Sequence, residues 1–185
     1  MRPFDRSKLP PEILREHKPA RRVNQLEADT LKILQNPITR GETAIHEGAH
    51  FYYRKLVGDD PFFTGPHFRY FPTTLDLTVC SGGVASDSLG PFKAADMARW
   101  NVAGWLWEEY LTNSVNAEDG AAVDRADYFD IVHKSIPGVT DAQIQECWDA
   151  AIVEVRNDLL NKDIETEIRA LANEFEKFIV PWIEP

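Results

Sequence analysis

The sequence predicts a mainly helical α+β domain with a small β-sheet, and two observations carry this prediction. Helix-start and helix-stop signals recur along most of the 185 residues. Only one region, residues 68–79, shows short runs of aromatic and β-branched residues of the kind that form strands. The composition, 43% hydrophobic and 27% charged, is that of a folded globular protein and excludes disorder throughout. We therefore expect five or six helices with a small sheet in a chain long enough to bury a core.

Capping signals predict two helices in the first third of the chain. Asn24, with an acidic residue three positions later, opens a helix that Asn36-Pro37 should end. Residues 39–42, Thr-Arg-Gly-Glu, form a capping box that starts the next helix. That helix should run to about Val57, because Gly58 can adopt the left-handed conformation that ends a helix.

The strand region follows these helices. Residues 59–66 are rich in Asp, Pro and Gly and predict a loop. Phe68–Phe71 and Leu75–Val79 are the best strand candidates, with a turn at Pro72-Thr73-Thr74 between them. Ser81-Gly82-Gly83 then ends the pattern.

Four helices are predicted in the C-terminal half. Pro91 suits the first turn of one of them, and Thr140 begins a capping box for another. The segment 100–107 is apolar on nearly every side, which predicts a central helix. The expected spans are residues 91–112, 116–136, 140–160 and 163–179.

The distribution of charge indicates an N-terminal arm. Residues 1–22 contain seven Lys or Arg and three acids, a net charge of +4, and four prolines. We interpret residues 1–22 as a basic arm, packed or mobile, and residues 23–185 as a single domain. The whole chain carries a net charge of −10, which argues against nucleic acid as a general partner because phosphate binding needs a basic face.

Several patterns bear on localisation. The chain has no apolar run of the roughly 18–20 residues that a membrane span needs. Its N-terminus also lacks the apolar stretch of a signal peptide. Cys80 and Cys147 form neither a disulfide framework nor a C-x-x-C motif, which favours a reducing compartment. We therefore expect a cytoplasmic protein with no membrane span.

The motif that carries chemistry is His46-Glu47-Gly48-Ala49-His50, an H-E-x-x-H pattern inside the second predicted helix. Side chains four residues apart lie one above the other on a helix, so two imidazoles can bind one tetrahedral ion. Zinc lowers the pKa of a bound water to about 7, and a glutamate next to the ligands can accept the proton of that water. Glu47 would then deliver this proton to a leaving amine. The alternative is a helix whose histidines merely pack or face solvent.

A zinc ion in a catalytic site needs a third protein ligand. The spacing of residues in the sequence does not select one. The candidates are the acids and histidines that follow the motif: His67, Glu108, Glu109, Asp119, Asp124, Asp127 and His133.

The order of several short motifs resembles the peptidase domain of FtsH-type AAA proteases. After the H-E-x-x-H helix come Phe68–Pro72, the acidic pair Glu108-Glu109, and Gly120-Ala121-Ala122-Val123-Asp124. In that family an Asp at the corresponding position completes the zinc site. The resemblance therefore implies His46, His50 and Asp124 as zinc ligands and Glu47 as the general base. It also implies that Glu108 or Glu109 supports the site, and that a small sheet lies beside the H-E-x-x-H helix.

The chain departs from the family at several positions. Gly48-Ala49 inverts the usual order, Val123 replaces an Asn, and Thr73-Thr74 follows Pro72 where the family has Arg-Gly. The sequence contains no G-x-x-x-x-G-K-[ST] phosphate-binding motif. We expect any unfolding motor to be a separate protein, with peptides or unfolded proteins as substrates.

Two functional hypotheses follow from the sequence. The first is a zinc metalloendopeptidase without its own ATPase. The second is a metal-binding but inactive interaction or scaffold module of the same fold. The amphipathic C-terminal helices allow a homo-oligomer or a partner protein as well as simple packing on the domain.

Overall fold

Six helices and four short strands make up the described part of the chain, which the computed structural model gives as residues 19–71, 76–87, 92–115 and 117–184 with Arg2, Phe4, Arg6 and Leu9. The helices are α1 (Pro19–Gln35), α2 (Pro37–Leu56), α3 (Ala94–Thr112), α4 (Ala117–Ser135), α5 (Asp141–Asp158) and α6 (Lys162–Ile183). The strands are β1 (Pro61–Thr64), β2 (His67–Phe71), β3 (Asp76–Cys80) and β4 (Gly83–Ser86). The predicted fold class, mainly helical with a small amount of β-structure, is confirmed.

Helix α2 carries the H-E-x-x-H motif and begins three residues earlier than predicted. Asn36 is its N-cap, with the side-chain oxygen accepting from the Ile38 N–H at 2.9 Å, and Pro37 occupies the first helical position. The predicted start at Thr39 was wrong, because this Asn-Pro pair satisfies the first turn before the later capping box is reached. The predicted end is confirmed: the helix stops at Leu56, and Gly58 has a φ of 82°.

Helix α1 also begins earlier than predicted, at Pro19 rather than Asn24. A proline fits the first turn of a helix because the N–H that it lacks would have no helical partner there. The helix therefore includes the last residues of the predicted arm. Within the rest of that arm, Phe4 and Leu9 are buried beside Val23 and Phe68.

The C-terminal helices follow the predicted pattern with shifted ends. The capping box at Thr140 and Gln143 is confirmed, with both reciprocal hydrogen bonds present. Helix α6 extends to Ile183, beyond the predicted end at residue 179. Pro181 lies in the last turn of this helix, where it removes the hydrogen bond that an N–H at this position would donate. The predicted start of α3 at Pro91 was wrong: the helix begins at Ala94, because Lys93 is its extended N-cap residue. Asn116, the predicted cap of α4, lies outside the described residues.

The strands form two antiparallel pairs. The predicted pair is confirmed as β2 with β3, in a register that runs from His67 opposite Cys80 to Phe71 opposite Asp76. The pair β1 with β4 was not predicted, and the expected loop over residues 59–66 was wrong for Pro61–Thr64. The strand pair beside the H-E-x-x-H helix is this unpredicted one, since both β1 and β4 contact α2, whereas β3 of the predicted pair contacts α1. The predicted turn at residues 72–74 lies outside the described residues.

Helix α3 lies at the centre of the core. It packs against α2, α4 and α5, while α2 packs on its other side against α6. Every residue from Trp100 to Glu108 is buried, which confirms the central helix predicted from the apolar segment. Within the described residues, no helix is both long and apolar enough to cross a membrane.

Candidate metal centre

Three ligand atoms from two helices converge at the centre of the H-E-x-x-H motif. The Nε2 atoms of His46 and His50 lie 2.9 Å apart, which their i, i+4 spacing on α2 allows. Helix α4 brings Asp124 to the same point. Its Oδ2 atom lies 3.2 Å from Nε2 of His46 and 3.5 Å from Nε2 of His50.

These separations fit the chemistry of a bound cation. Ligand bonds of about 2.0–2.1 Å in a tetrahedral site place neighbouring ligand atoms about 3.3 Å apart. The Oδ2 atom of Asp124 is buried, and no group in the described part of the chain donates a well-formed hydrogen bond to it. Its nearest polar neighbours are the two imidazole Nε2 atoms, so this buried carboxylate depends on a positive charge at the centre of the cluster, which a protonated imidazole or a bound metal ion supplies. His46, His50 and Asp124 could therefore hold a metal ion.

Helix α3 orients both imidazoles through their other nitrogen atoms. Nδ1 of His46 lies 3.0 Å from Oε2 of Glu108, and Nδ1 of His50 lies 2.6 Å from the carbonyl oxygen of Trp100. A protonated Nδ1 donates to each acceptor, which leaves the Nε2 lone pairs directed at the shared centre. Such outer contacts fix the tautomer and the ring orientation of metal-binding histidines.

The ligand side chains also change one another's pKa. Burial alone would lower the pKa of His46, but Asp124 and Glu108 outweigh burial and raise that pKa well above its usual value. Burial would raise the pKa of Asp124, but His50 and His46 outweigh it and hold the Asp124 pKa well below its usual range. Without a metal, therefore, the cluster favours an ionised carboxylate beside a protonated imidazole.

Glu47 lies next to His46 in the sequence and is half-buried. Burial is the largest influence on its carboxyl group and raises the pKa of Glu47, although His50 and His46 act in the opposite direction. A raised pKa makes a carboxylate a stronger base, which suits a group that must accept a proton near neutral pH.

Helix α4 approaches the site closely because it has a glycine at residue 120. A Cβ atom at Gly120 would lie 3.3 Å from Cε1 of His46, tighter than ordinary van der Waals contact. Asp124, one helical turn further on, then reaches the imidazoles.

The other residues proposed from the sequence do not join the ligand group. Of the acidic pair, Glu108 contacts His46, whereas Glu109 is exposed. Nδ1 of His67 lies 3.0 Å from the carbonyl oxygen of Gly65, and His133 is exposed and pairs with an acid on α5. Asp127 is outside the group of convergent ligand atoms, and the Asp119 side chain is not among the described ones.

Two features of the site were not identified from the sequence. The Trp100 carbonyl carries no sequence signal, because any residue supplies that atom. Gly104 had one available signal: a glycine in a helix interior costs about 1 kcal/mol relative to alanine, so its place in the middle of an apolar helix is unusual.

Comparison with protein-family models and with curated proteins finds no match to this chain.

Proposed function

We propose that the protein is a zinc-dependent hydrolase of peptide bonds that acts on accessible or unfolded polypeptides. The observation that supports this most strongly is the convergence of two imidazole nitrogens and one carboxylate oxygen. Glu47 follows the ligand His46 on the same helix, and its pKa responds to both imidazoles and to Asp124. Three protein ligands leave one position of a tetrahedral ion open, which is the arrangement of catalytic zinc sites. The order of the motifs, which resembles that of the peptidase domain of FtsH-type AAA proteases, also favours hydrolysis of peptide bonds.

The choice of zinc rests on the set of donor atoms together with Glu47. Two histidines and one carboxylate suit zinc, but the same donors also hold iron(II) in some oxygenases. The H-E-x-x-H pattern adds a carboxylate next to the ligands, as hydrolytic zinc sites require. Zinc, when bound, supplies Lewis acidity and lowers the pKa of a water ligand to about 7.

The side chains of this chain have separate tasks in the proposed reaction. His46, His50 and Asp124 hold the cation, while Glu108 and the Trp100 carbonyl keep the imidazoles oriented. A carboxylate oxygen of Glu47 accepts a proton from the water that attacks the substrate carbonyl. Glu47 then gives this proton to the amine that leaves, so the carboxylate is regenerated in each turnover.

A second candidate function is supported by the burial of the ligands. The side chains of His46, His50 and Asp124 are only 12%, 11% and 16% exposed. A closed site of this kind suits a metal that stabilises a binding or scaffold module. Glu47 favours the hydrolase over the scaffold module, because a structural metal site needs no base next to its ligands.

Turnover by the wild type and by Glu47→Gln tests the proposal. The substrates are a denatured protein and a set of fluorogenic peptides, with zinc content measured on the same samples. We expect the Gln variant to keep its zinc and to lose about 10²–10⁴-fold in kcat/KM, the usual contribution of a general base. Equal and absent turnover in both proteins, with zinc retained, would favour the scaffold module.

A matched control uses Glu42→Gln on the same helix. Glu42 lies one turn before His46, and it belongs neither to the ligand group nor to its supporting contacts. Its substitution should leave both zinc content and turnover unchanged. A comparable loss in this control would show that the Glu47 effect is a general effect on the helix.

A further inference from the structure

Gly104 in the middle of α3 faces the two ligand histidines across the α2–α3 interface. A Cβ atom at this position would lie 2.6 Å from both Cε1 and Nε2 of His50, and 2.8 Å from Nε2 of His46. Non-bonded carbon atoms prefer separations of about 3.5–4.0 Å. Any side chain at residue 104 would therefore collide with both ligating nitrogens at once.

The imidazoles cannot easily turn away from such a side chain. Each ring is held at its other nitrogen by α3 itself, His46 through Glu108 and His50 through the Trp100 carbonyl. Trp100 and Glu108, which hold the two rings, therefore lie on the same helix as Gly104. To relieve the collision, a ring would have to break an orienting hydrogen bond or the two helices would have to separate.

The surroundings of Gly104 differ from those of a glycine that serves helix packing. At Gly48, an added Cβ would meet backbone atoms of α6, namely Ala172 N at 2.9 Å and Ile168 O at 3.0 Å. At Gly104, the nearest atoms all belong to the two imidazoles. A glycine in a helix interior costs about 1 kcal/mol relative to alanine, so its presence here needs a compensating role.

We propose that Gly104 is a positioning residue of the metal centre: its missing side chain leaves the space in which the Nε2 atoms of His46 and His50 can ligate one ion. The proposal rests on the metal centre of the proposed function. In this proposal Gly104, on α3, determines metal binding although it neither ligates the ion nor forms a hydrogen bond with a ligand. It also predicts that metal binding can be lost while every ligand is retained.

The test compares Gly104→Ala with Gly41→Ala. Gly41 lies on α2, and a Cβ there would meet nothing within 4 Å, so the control adds the same methyl group without a collision. The measurement is Co²⁺ affinity from the visible absorption of the bound ion. We expect Co²⁺ to bind to Gly104→Ala at least about tenfold more weakly, the effect typical of losing a residue that supports a metal ligand. Binding to the Gly41→Ala control should be unchanged. Wild-type affinity and an unchanged spectrum in Gly104→Ala would overturn the proposal.

A second measurement covers the case in which Gly104→Ala lowers stability too far for metal titration. The thermal midpoint of the metal-free protein is compared in two backgrounds, wild type and His46→Ala/His50→Ala. We expect Gly104→Ala to lower the midpoint in the first background and to have no such effect in the second, where the imidazoles are absent. An equal loss in both backgrounds would overturn the proposal. This cycle needs no metal, so it tests the contact between Gly104 and the imidazoles separately from the hydrolytic activity of the proposed function. A wild type that binds no metal would overturn the positioning role, whereas absent peptide hydrolysis alone would not.

Discussion

Arg54 and His46 lie on the same helix, α2, but the polar groups that surround them find hydrogen-bonding partners to different degrees. Near the end of the helix, Arg54 donates from Nε to Oδ2 of Asp59 at 2.6 Å and from Nη1 to the Val84 carbonyl at 3.1 Å. Oδ1 of Asp59 accepts from the Ser86 hydroxyl and from the Asp60 N–H. Both oxygens of the buried Asp59 carboxylate and two nitrogens of the Arg54 guanidinium therefore have partners among the described residues.

The cluster around His46 is different. Two Nε2 atoms face each other at 2.9 Å, and the buried Oδ2 of Asp124 accepts no well-formed hydrogen bond from the described residues. Buried polar groups are normally paired, so an incomplete cluster indicates a missing component. The Arg54 cluster is therefore structural, whereas the His46 cluster has the form of a cation site. Substitutions in the Arg54 cluster should therefore change stability, and substitutions in the His46 cluster should change metal binding.

The largest expected effect is on metal binding in Asp124→Ala. Removing this carboxylate takes away a ligand, so we expect zinc affinity to fall by more than about 100-fold, beyond the range seen for outer supporting residues. Equilibrium dialysis against a zinc chelator measures the change. If Asp124→Ala keeps its zinc affinity while Glu109→Ala loses it, the third ligand is Glu109 and not Asp124.

The Arg54 cluster should respond in stability and not in metal binding. In Asp59→Ala the guanidinium of Arg54 loses its buried partner, so we expect the free energy of unfolding to fall by about 2–3 kcal/mol. Urea denaturation of the metal-free protein gives this value. Zinc affinity should be unchanged, and a large loss of zinc would contradict the separation of the two clusters.

Glu108 and Glu109 provide a comparison within one helix turn. Glu108 contacts Nδ1 of His46, so Glu108→Ala should weaken zinc binding about 10–100-fold. Its neighbour Glu109 is exposed, and Glu109→Ala should leave the affinity unchanged. Isothermal titration of both variants measures the difference. Equal effects would mean that Glu108 does not orient His46.

The smallest expected effect is a pH dependence at Asp59. Burial alone would raise the pKa of Asp59, but the hydrogen bonds from Ser86 and Arg54 outweigh it and lower the pKa below its usual value. A carboxyl group whose pKa is lowered in the folded state stabilises the protein above its unfolded pKa of about 3.9, and this stability is lost as the pH falls through the folded pKa. The stability difference between wild type and Asp59→Asn should therefore shrink as the pH falls from about 5 to 3. Unfolding free energies of the metal-free proteins at several pH values measure it, and a constant difference would refute the assignment.

The fold was predictable where the signal is local. The capping box at Thr140 and the glycine stop at Gly58 depend on a few neighbouring residues, and both were predicted correctly. The start of α2 was missed because two local signals compete, and the Asn36-Pro37 pair takes precedence over the later box. Strands β1 and β4 were missed because their pairing joins segments about 20 residues apart, which no local pattern encodes.

The site was predictable to a similar extent. The i, i+4 spacing of His46 and His50 is a local property of a helix, and it sufficed to propose a shared ion. Whether Glu108 or Glu109 faces His46 depends on how α3 is rotated against α2, which its nearly uniform apolar sequence does not reveal. The importance of Gly104 likewise depends on the distance between two helices and becomes visible only in the structure.

If a metal ion completes the His46 cluster, the purified wild-type protein should contain that ion. Its metal content is therefore the most direct test. Native mass spectrometry and elemental analysis, with zinc and iron both quantified, give the number of ions per chain. We expect about one equivalent of zinc, as for a site with three protein ligands. A wild-type protein that is folded, contains no metal and binds none when zinc is added would contradict this account.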